Sequence, residues 1–218
     1  MFHRIFALLF PPKCVLCRKL LSKEETDLCH DCRAGTAEFT KAKRNIPFVE
    51  KWTAVWYYSG SVRSSLLRYK FYNARSYAQV YGRFLAMRLL QEYPDGFDIL
   101  TWVPISRRRL KKRGFDQVAL LAQAVGKELD LQPVSTLLKS RDTKPQSTLR
   151  DPAQRRANVL GAYKVTDPGC VAGKRILLLD DIITTGTTVS ECAKTLLLAG
   201  AAEVHCAAVA AAPSDKKK

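Results

Sequence analysis

The most constraining feature of this 218-residue sequence is the stretch from residue 176 to residue 188, which reads ILLLDDIITTGTT. Its four leading aliphatic residues are typical of a strand that is buried on both faces, as in a parallel sheet covered by helices. Asp180 and Asp181 follow directly, and ligands of such sheets bind beyond the carboxyl ends of the strands. We therefore predict that the two carboxylates lie at a binding site.

The residues after the two aspartates have the composition of a phosphate-binding loop. A helix is predicted from about residue 187 to residue 199, and backbone N–H groups at a helix start bind anions. Because two carboxylates would repel a phosphate, we expect them to hold sugar hydroxyls or a divalent cation, so a phosphorylated ribose fits both halves. A plain helix cap after a buried strand is the alternative. The loop residues are Thr184, Thr185, Gly186, Thr187 and Thr188.

Four cysteines near the start of the chain are paired in a spacing that suits a metal. They read Cys14-x2-Cys17 and Cys29-x2-Cys32, and two such pairs can close a four-thiolate zinc site. A disulfide, a redox-active C-x-x-C or a substitution by His30 are the alternatives. A segment this short cannot bury a core of its own, so we expect a structural zinc ion to supply its folding energy.

The rest of the chain alternates strand and helix patterns, which predicts an α/β fold. We expect a zinc-finger or zinc-ribbon segment over residues 1–40 and one α/β domain over residues 41–218. Residues 36–51 are predicted to be a linker, and residues 141–158 a long loop. Predicted strands cover residues 53–60, 97–106 and the final VHCAAVAAA, and predicted helices cover residues 62–72, 77–93 and 118–131.

The charge of the chain indicates an anionic partner. Lys and Arg number 36 against 20 Asp and Glu, a formal net charge of +16, and residues 101–160 hold 13 basic and 5 acidic residues. Such an excess favours nucleic acid, phosphate-rich ligands or an anionic surface, while ordinary solvated lysines are the alternative. Trp and Tyr residues within 52–58 and 69–81 could stack on the bases of a single strand or belong to the core.

The sequence also bears on location. No run reaches the roughly 18 apolar residues of a membrane span, so we predict no transmembrane segment. Paired cysteines that bind metal are typical of a reducing compartment. We therefore expect a cytoplasmic protein, and a peripheral position at the inner face of the membrane stays open.

Two levels of family resemblance follow from these motifs. The stretch from residue 176 to residue 188 resembles the motif with which type I phosphoribosyltransferases bind phosphoribosyl pyrophosphate (PRPP). The four cysteines, the run VPISRRRLKKRGFDQ, Gln146 and the pair Arg155 and Asn158 extend the likeness over essentially the entire chain. Together they resemble the ComF family of competence proteins, also called GntX-like. Asp116 stands where that family commonly has Asn.

The resemblance implies a type I phosphoribosyltransferase fold and a role for each motif. Asp180 and Asp181 would hold the ribose and, through PRPP, a magnesium ion, and the threonine loop would hold the 5-phosphate. The pyrophosphate would meet the loop after an early strand, often through a strained peptide whose amide faces the ligand, and Lys70 would reach the same group or merely snorkel. The pyrophosphate loop comprises Pro104, Ile105, Ser106 and Arg107.

The resemblance also implies a mobile element. The segment of residues 141–158 is similar to the flexible loop that closes over bound PRPP and excludes water. Gln146, Arg155 and Asn158 are the candidate ligand contacts there, with ordinary surface polarity as the alternative.

The family resemblance implies a PRPP-binding phosphoribosyltransferase-like protein that acts in natural transformation. It would handle incoming single-stranded DNA beside a helicase-like partner, with the acceptor of the ribosyl group left open. Two alternatives remain: a non-catalytic single-stranded-DNA-binding competence factor that uses the PRPP site as a sensor, and a purine or nucleotide salvage enzyme.

Overall fold

The chain folds into alternating strands and helices, as the sequence predicted. A computed structural model describes residues 11–40, 44–143 and 151–213. The strands are β1 (Trp52–Tyr57), β2 (Ile99–Trp102), β3 (Leu137–Lys139), β4 (Tyr163–Val165), β5 (Arg175–Ile183) and β6 (Glu203–Ala211). The helices are α1 (His30–Gly35), α2 (Gly60–Phe71), α3 (Tyr77–Glu92), α4 (Arg107–Arg113), α5 (Gln117–Leu129), α6 (Pro152–Val159), α7 (Pro168–Val171) and α8 (Thr187–Leu198).

The main sheet explains the aliphatic run before the two aspartates. Its strand order is β1-β6-β5-β2 and its strands are parallel, while β3 and β4 form a separate antiparallel pair. Leu177 and Leu179 pack on the face under α2, α3 and α5, and Ile176 and Leu178 pack on the face under α8. Because both faces are covered, the run Ile176–Leu179 of β5 is apolar at every position and not at alternate positions.

The cysteine segment is packed against the helices that follow it. Val15 and Leu16 are buried in the same core cluster as residues of α2 and α3. The Ser65 hydroxyl and the Arg68 guanidinium, both on α2, donate to the backbone carbonyl of Val15. These contacts join the cysteine segment to the α/β domain.

Two strand predictions were wrong in their bounds. The strand expected over residues 97–106 is limited to Ile99–Trp102, because Pro104 has no N–H to extend the ladder and Ser106 already caps α4. Conversely, β5 continues to Ile183, so Asp180 and Asp181 lie inside the strand and not beyond its end. Pairing with Ala208 and Ala210 of β6 holds this extension.

Two segments predicted to be irregular have more structure than expected. Residues 152–159 of the expected loop form α6, since the Asp151 carboxylate accepts the N–H of Ala153 and Pro152 occupies the first turn. In the expected linker, Phe39 and Ile46 are buried against the domain. Residues 144–150 and the candidate Gln146 lie outside the described residues.

No helix in the described ranges is both long enough and apolar enough to span a membrane.

Candidate functional site

Asp180 and Asp181 are neighbours in β5 and therefore point to opposite faces of the sheet. Asp181 follows Leu177 and Leu179 on the face covered by α2 and α5. Asp180 follows Leu178 on the face covered by α8. The two carboxylates thus meet different surroundings, although they are adjacent in sequence.

The charge of Asp181 is balanced by partners inside the protein. Its side chain is 5% exposed, and one carboxylate oxygen lies 2.9 Å from the ammonium of Lys70. The other oxygen accepts a hydrogen bond of 3.1 Å from the Gln117 amide, whose own oxygen accepts one of 2.7 Å from Arg113. Lys70, expected either to reach pyrophosphate or to snorkel, instead forms an ion pair with Asp181 in the structure.

Asp180 is the carboxylate that lacks such compensation. Burial raises the pKa of Asp180 well above its usual value, the charge of Asp181 raises it further, and Lys70 opposes both effects. Its oxygen accepts the N–H of Asp181 at 2.8 Å, and no cation of the described residues pairs with it within 4.0 Å. A ligand that brings positive charge or hydroxyl donors would therefore relieve an existing electrostatic cost.

A cation that the sequence reasoning missed lies on the same face as Asp180. Lys139 of β3 donates a hydrogen bond of 3.1 Å to the Tyr163 hydroxyl, and its ammonium stands 4.9 Å from the centre of that ring. Burial lowers the pKa of Lys139 to about 8, the charge of Arg109 adds to this effect, and Asp180 is among the groups that oppose it. No motif in the sequence marked this lysine, because its role depends on the pairing of β3 with β4.

The loop after β5 has the geometry of an anion cradle. Gly186 has φ of 79°, and a Cβ at this position would lie 2.8 Å from the side chain of Ile46. The twelve-residue helix α8 starts directly afterwards without a side-chain cap, and the N–H of Thr187 makes only a long contact of 3.5 Å to Thr185. Its first N–H groups are therefore available to a phosphate. Thr184 is exposed and Thr188 is half-buried.

The loop after β2 differs from the expected pyrophosphate loop. The N–H of Ile105 donates to the Asp116 carboxylate at 3.2 Å, so this amide faces the protein and not a ligand. Ser106 caps α4 by accepting the N–H of Arg109 at 3.4 Å, and Pro104 has no N–H. The expected strained, ligand-facing peptide is not found among these residues. Arg107 is exposed and remains able to meet an anion.

The RGFDQ stretch supplies site residues that the sequence reasoning quoted but did not assign. Asp116 caps α5 by accepting the N–H groups of Val118 and Ala119 at 2.9 and 3.1 Å. The Asn that is common in the ComF family would offer an equivalent oxygen, so the departure preserves the cap. Gln117 and Arg113 connect the same turn to Asp181, as described above. The motif itself was therefore the signal for these residues.

Arg155 and Asn158 lie on α6 and not on an irregular loop. The end of α6 is tied down, since Arg141 donates to the carbonyl oxygens of Asn158 and Leu160 at 3.3 and 3.0 Å. The N–H of Gly161 donates to Glu191 of α8 at 2.7 Å. The two residues thus lie near the helix that carries the anion cradle, and their contact with a ligand stays a prediction.

The four cysteines form a cluster that suits zinc. The Sγ atoms of Cys14, Cys17, Cys29 and Cys32 all lie within 4.8 Å of one another, and those of Cys17 and Cys29 are 3.6 Å apart. A tetrahedron of thiolates about 2.3 Å from zinc has sulfur–sulfur edges of about 3.8 Å, so the donors fit a structural site. The His30 side chain is 88% exposed and is not part of the cluster.

The aromatic residues that were candidates for base stacking are mostly in the core. Trp52, Trp56, Tyr69 and Tyr81 are buried, which removes them as stacking surfaces. For these four residues the alternative interpretation, a role in core packing, is confirmed.

Comparison with known proteins matches both the cysteine segment and the α/β domain to known families. Residues 111–218 match the model of the phosphoribosyl transferase domain, and residues 5–44 match that of the double zinc ribbon domain. The competence protein ComFC of Streptococcus pneumoniae is 29% identical over 189 residues, covering 86% of this chain and 77% of that protein. The chain belongs to the ComF family.

Other relatives of this ComF chain match it over a shorter region. The DNA utilization protein YhgH of Escherichia coli O157:H7 is 38% identical over 109 residues, which is 50% of the chain and 47% of that protein. The match thus spans about half the length of this relative. A solved structure of the Bacillus subtilis glutamine PRPP amidotransferase is 25% identical with a TM-score of 0.44, covering 64% of the ComF chain and 30% of the solved one.

These findings fix the architecture of the ComF chain. It combines a four-cysteine double zinc ribbon with a type I phosphoribosyltransferase domain, as the sequence motifs predicted.

Proposed function

We propose that the ComF chain binds PRPP with magnesium at the carboxyl end of β5 and acts in the use of incoming DNA. The observation that carries this proposal is the succession of an uncompensated, half-buried carboxylate, Asp180, and a helix start with available N–H groups only a few residues later. A sugar phosphate satisfies the two features together, because its hydroxyls suit the carboxylate and its phosphate suits the helix start. The names of the ComFC and YhgH relatives support the connection to DNA.

In the proposed reaction, an acceptor nucleophile attacks C1 of the ribose as the bond from C1 to the pyrophosphate oxygen breaks. Pyrophosphate leaves with the bonding electron pair, and the proton of the acceptor passes to pyrophosphate or solvent. Asp180 would hold the ribose hydroxyls, and Asp181 would support it from the opposite face of β5. Thr185, Thr187 and Thr188 would hold the 5-phosphate. The exposed Arg107 would meet the pyrophosphate.

Magnesium would enter this site together with PRPP. Apart from the four cysteines, the described residues contain no group of three or more potential ligands with their donor atoms together, so the chain offers no dedicated magnesium cage. One or two carboxylates plus substrate phosphates are the usual magnesium ligands, and Asp180 meets that requirement. When bound, the ion would neutralise charge on the leaving pyrophosphate.

The test is pyrophosphate release from PRPP with magnesium and a panel of acceptors that includes nucleobases, ammonia and oligonucleotides. The proposal predicts release that depends on one acceptor class and is lost in Asp180→Asn. A purine as the acceptor would favour the salvage alternative. Absence of release with every acceptor, in a protein that still binds PRPP, would contradict catalysis and leave a sensor.

A second candidate function is single-strand binding with PRPP as a regulatory ligand. The observation that favours it is the run of basic residues in α4, RRRLKKR, within a chain of net charge +16. Strand affinity that falls steeply with salt, without any pyrophosphate release, would select this function. Negligible affinity for single-stranded DNA at physiological salt would leave only the transferase function. The proposal of a helicase-like partner would then have no support.

A further inference from the structure

The outer face of α3 exposes a stripe of apolar side chains. Met87 and Leu90 are 52% and 67% exposed, and Phe84 and Val80, one and two turns before Met87, are half-buried. Their spacing of three and four residues places all four on one side of the helix. Apolar residues that are scattered singly over a surface need no explanation, but a continuous stripe marks an interaction site.

This stripe forms one wall of a groove between α3, α5 and the cysteine segment. The groove encloses about 300 Å³, and its lining combines Phe84, Met87 and Leu90 with Asp27 of the cysteine segment and Glu128 of α5. We define the α3 groove by these five residues. It lies on the side of the main sheet that α2, α3 and α5 cover, away from the side covered by α8.

The charges at the rim of the α3 groove favour a cationic occupant. Asp27 is already paired with Arg83 of α3, whose Nε donates to it at 3.0 Å. Among the described residues, Glu128 forms no ion pair within 4.0 Å, so its carboxylate is available. An occupant that fits this groove therefore combines apolar side chains with at least one basic group.

We propose that residues 1–10 of this chain bind in the α3 groove. Their sequence is MFHRIFALLF, in which eight of the ten side chains are apolar. Phe2, Phe6 and Leu9 recur at the spacing of one helix face, which is the pattern of a helix that binds in an apolar groove. Arg4 supplies the cation for Glu128. The same segment therefore offers both the apolar face and the charge that the groove requires.

The segment is also within reach of the groove. It continues into Pro11, which is four residues before Val15, and the N–H of Val15 donates to the carbonyl of Asp27 at 2.9 Å. Four residues span at most about 14 Å, so the segment ends close to the groove rim. A helix of ten residues is about 15 Å long, and the part of α3 from Arg83 to Leu90 is about 10 Å long. The segment is therefore long enough to cover the stripe.

Other occupants fit the groove less well. A second copy of the chain would bring another formal net charge of +16, and this repulsion opposes close association. An anionic membrane would be repelled by the carboxylates of Asp27 and Glu128 at the rim. The chain's own segment meets neither obstacle, and the cysteine segment already holds its end beside the groove.

The test is photo-cross-linking of the full zinc-loaded chain with p-benzoylphenylalanine placed at Leu90. We expect cross-links from this position to residues 1–10 of the same chain, identified by mass spectrometry of the digested monomer band. Their yield should not change when the protein is diluted about tenfold, because a contact within one chain does not depend on concentration. The matched control is the same group placed at Leu198, which is 79% exposed on α8 and should give no link to residues 1–10.

Hydrogen exchange measures the same contact without a bulky probe. In Leu90→Glu the backbone amides of residues 2–10 should exchange at least about tenfold faster than in wild type, because a carboxylate replaces the apolar contact. Phe6→Glu should cause the same increase from the other side of the contact, and Leu198→Glu, the matched control, should leave the wild-type rate. Zinc content and circular dichroism should be unchanged in all three variants, which excludes unfolding as the cause.

Three results would overturn the proposal. Cross-links from Leu90 that join two copies would assign the groove to self-association, and cross-links to lipid in the presence of phosphatidylserine vesicles would assign it to a membrane. Wild-type exchange rates of residues 2–10 in Leu90→Glu would show that the segment binds elsewhere. None of these measurements involves PRPP, so the inference stands or fails separately from the proposed function.

Discussion

Asp180 and Asp181 have the same functional group, yet the fold gives them different electrostatic conditions. Lys70 and Gln117 compensate Asp181, so its charge is part of the folded structure. Asp180 keeps a carboxylate whose pKa is raised by burial and by its neighbour. The sequence predicted the pair, but it could not predict the division of roles, because the partners of Asp181 are 64 and more residues away in the chain.

This division predicts opposite effects of two similar substitutions on stability. Because the pKa of Asp180 is higher in the folded chain than in the unfolded chain, ionisation of Asp180 opposes folding, and this cost grows as pH rises from the unfolded pKa to the raised folded pKa. Asp180→Asn should therefore unfold at higher urea concentration than wild type at neutral pH, with the difference vanishing below the unfolded pKa of about 3.9.

Asp181→Asn is the matched comparison in the same urea series. It should destabilise at neutral pH by about 3 kcal/mol, since it leaves the ammonium of Lys70 without its counter-charge. A destabilised Asp180→Asn at neutral pH would contradict the assignment of the uncompensated carboxylate.

Gly186 is the second residue on which the site depends. Gly186→Ala should lower the free energy of unfolding by about 1–3 kcal/mol, because alanine is strained at φ of 79° and its Cβ would lie 2.8 Å from Ile46. The measurement is urea unfolding, with Gly35→Ala as the control, since a Cβ at Gly35 meets nothing within 4 Å. The loss caused by Gly186→Ala should be smaller in an Ile46→Ala background than in wild type, and an equal loss in both backgrounds would show that the contact does not matter.

At the scale of elements, α2 connects the zinc ribbon to the candidate site. Ser65 and Arg68 bind the carbonyl of Val15 in the ribbon, and Lys70, two residues after Arg68, pairs with Asp181. The main helices were predictable from their apolar periodicity, and their observed ends agree to within a few residues. The helix α6 was not, because its sequence is polar and its start depends on the cap by Asp151.

Because the zinc ribbon packs on the α/β domain, we expect loss of its zinc ion to lower the stability of the whole chain. Cys17→Ser should abolish stoichiometric zinc, measured by a chromogenic chelator after protein denaturation, and lower the free energy of unfolding by more than about 4 kcal/mol. Cys170→Ser is the matched control, because Cys170 lies outside the cysteine cluster and should keep its zinc. Full stability without zinc would refute the structural role of the ion.

At the scale of the whole molecule, the parallel sheet gathers the candidate groups at the carboxyl ends of β2 and β5. Strand order could be expected from the fold resemblance, since parallel strands under helices put their ligand sites at that edge. The side-chain network of Lys70, Gln117 and Arg113 could not, because pattern and spacing carry no information on contacts between distant segments. The burial of Ile46 against Gly186 was missed for the same reason.

The central claim is that β5 and the start of α8 bind the ribose and the 5-phosphate of one PRPP molecule. Calorimetric titration of the purified chain with PRPP and magnesium tests this claim most directly, with circular dichroism as a control for folding. We expect one site per chain in wild type, proton release seen as a dependence of the enthalpy on the buffer, and no detectable binding in Asp180→Asn/Asp181→Asn with the fold intact. Unchanged PRPP affinity in that double variant would contradict the account.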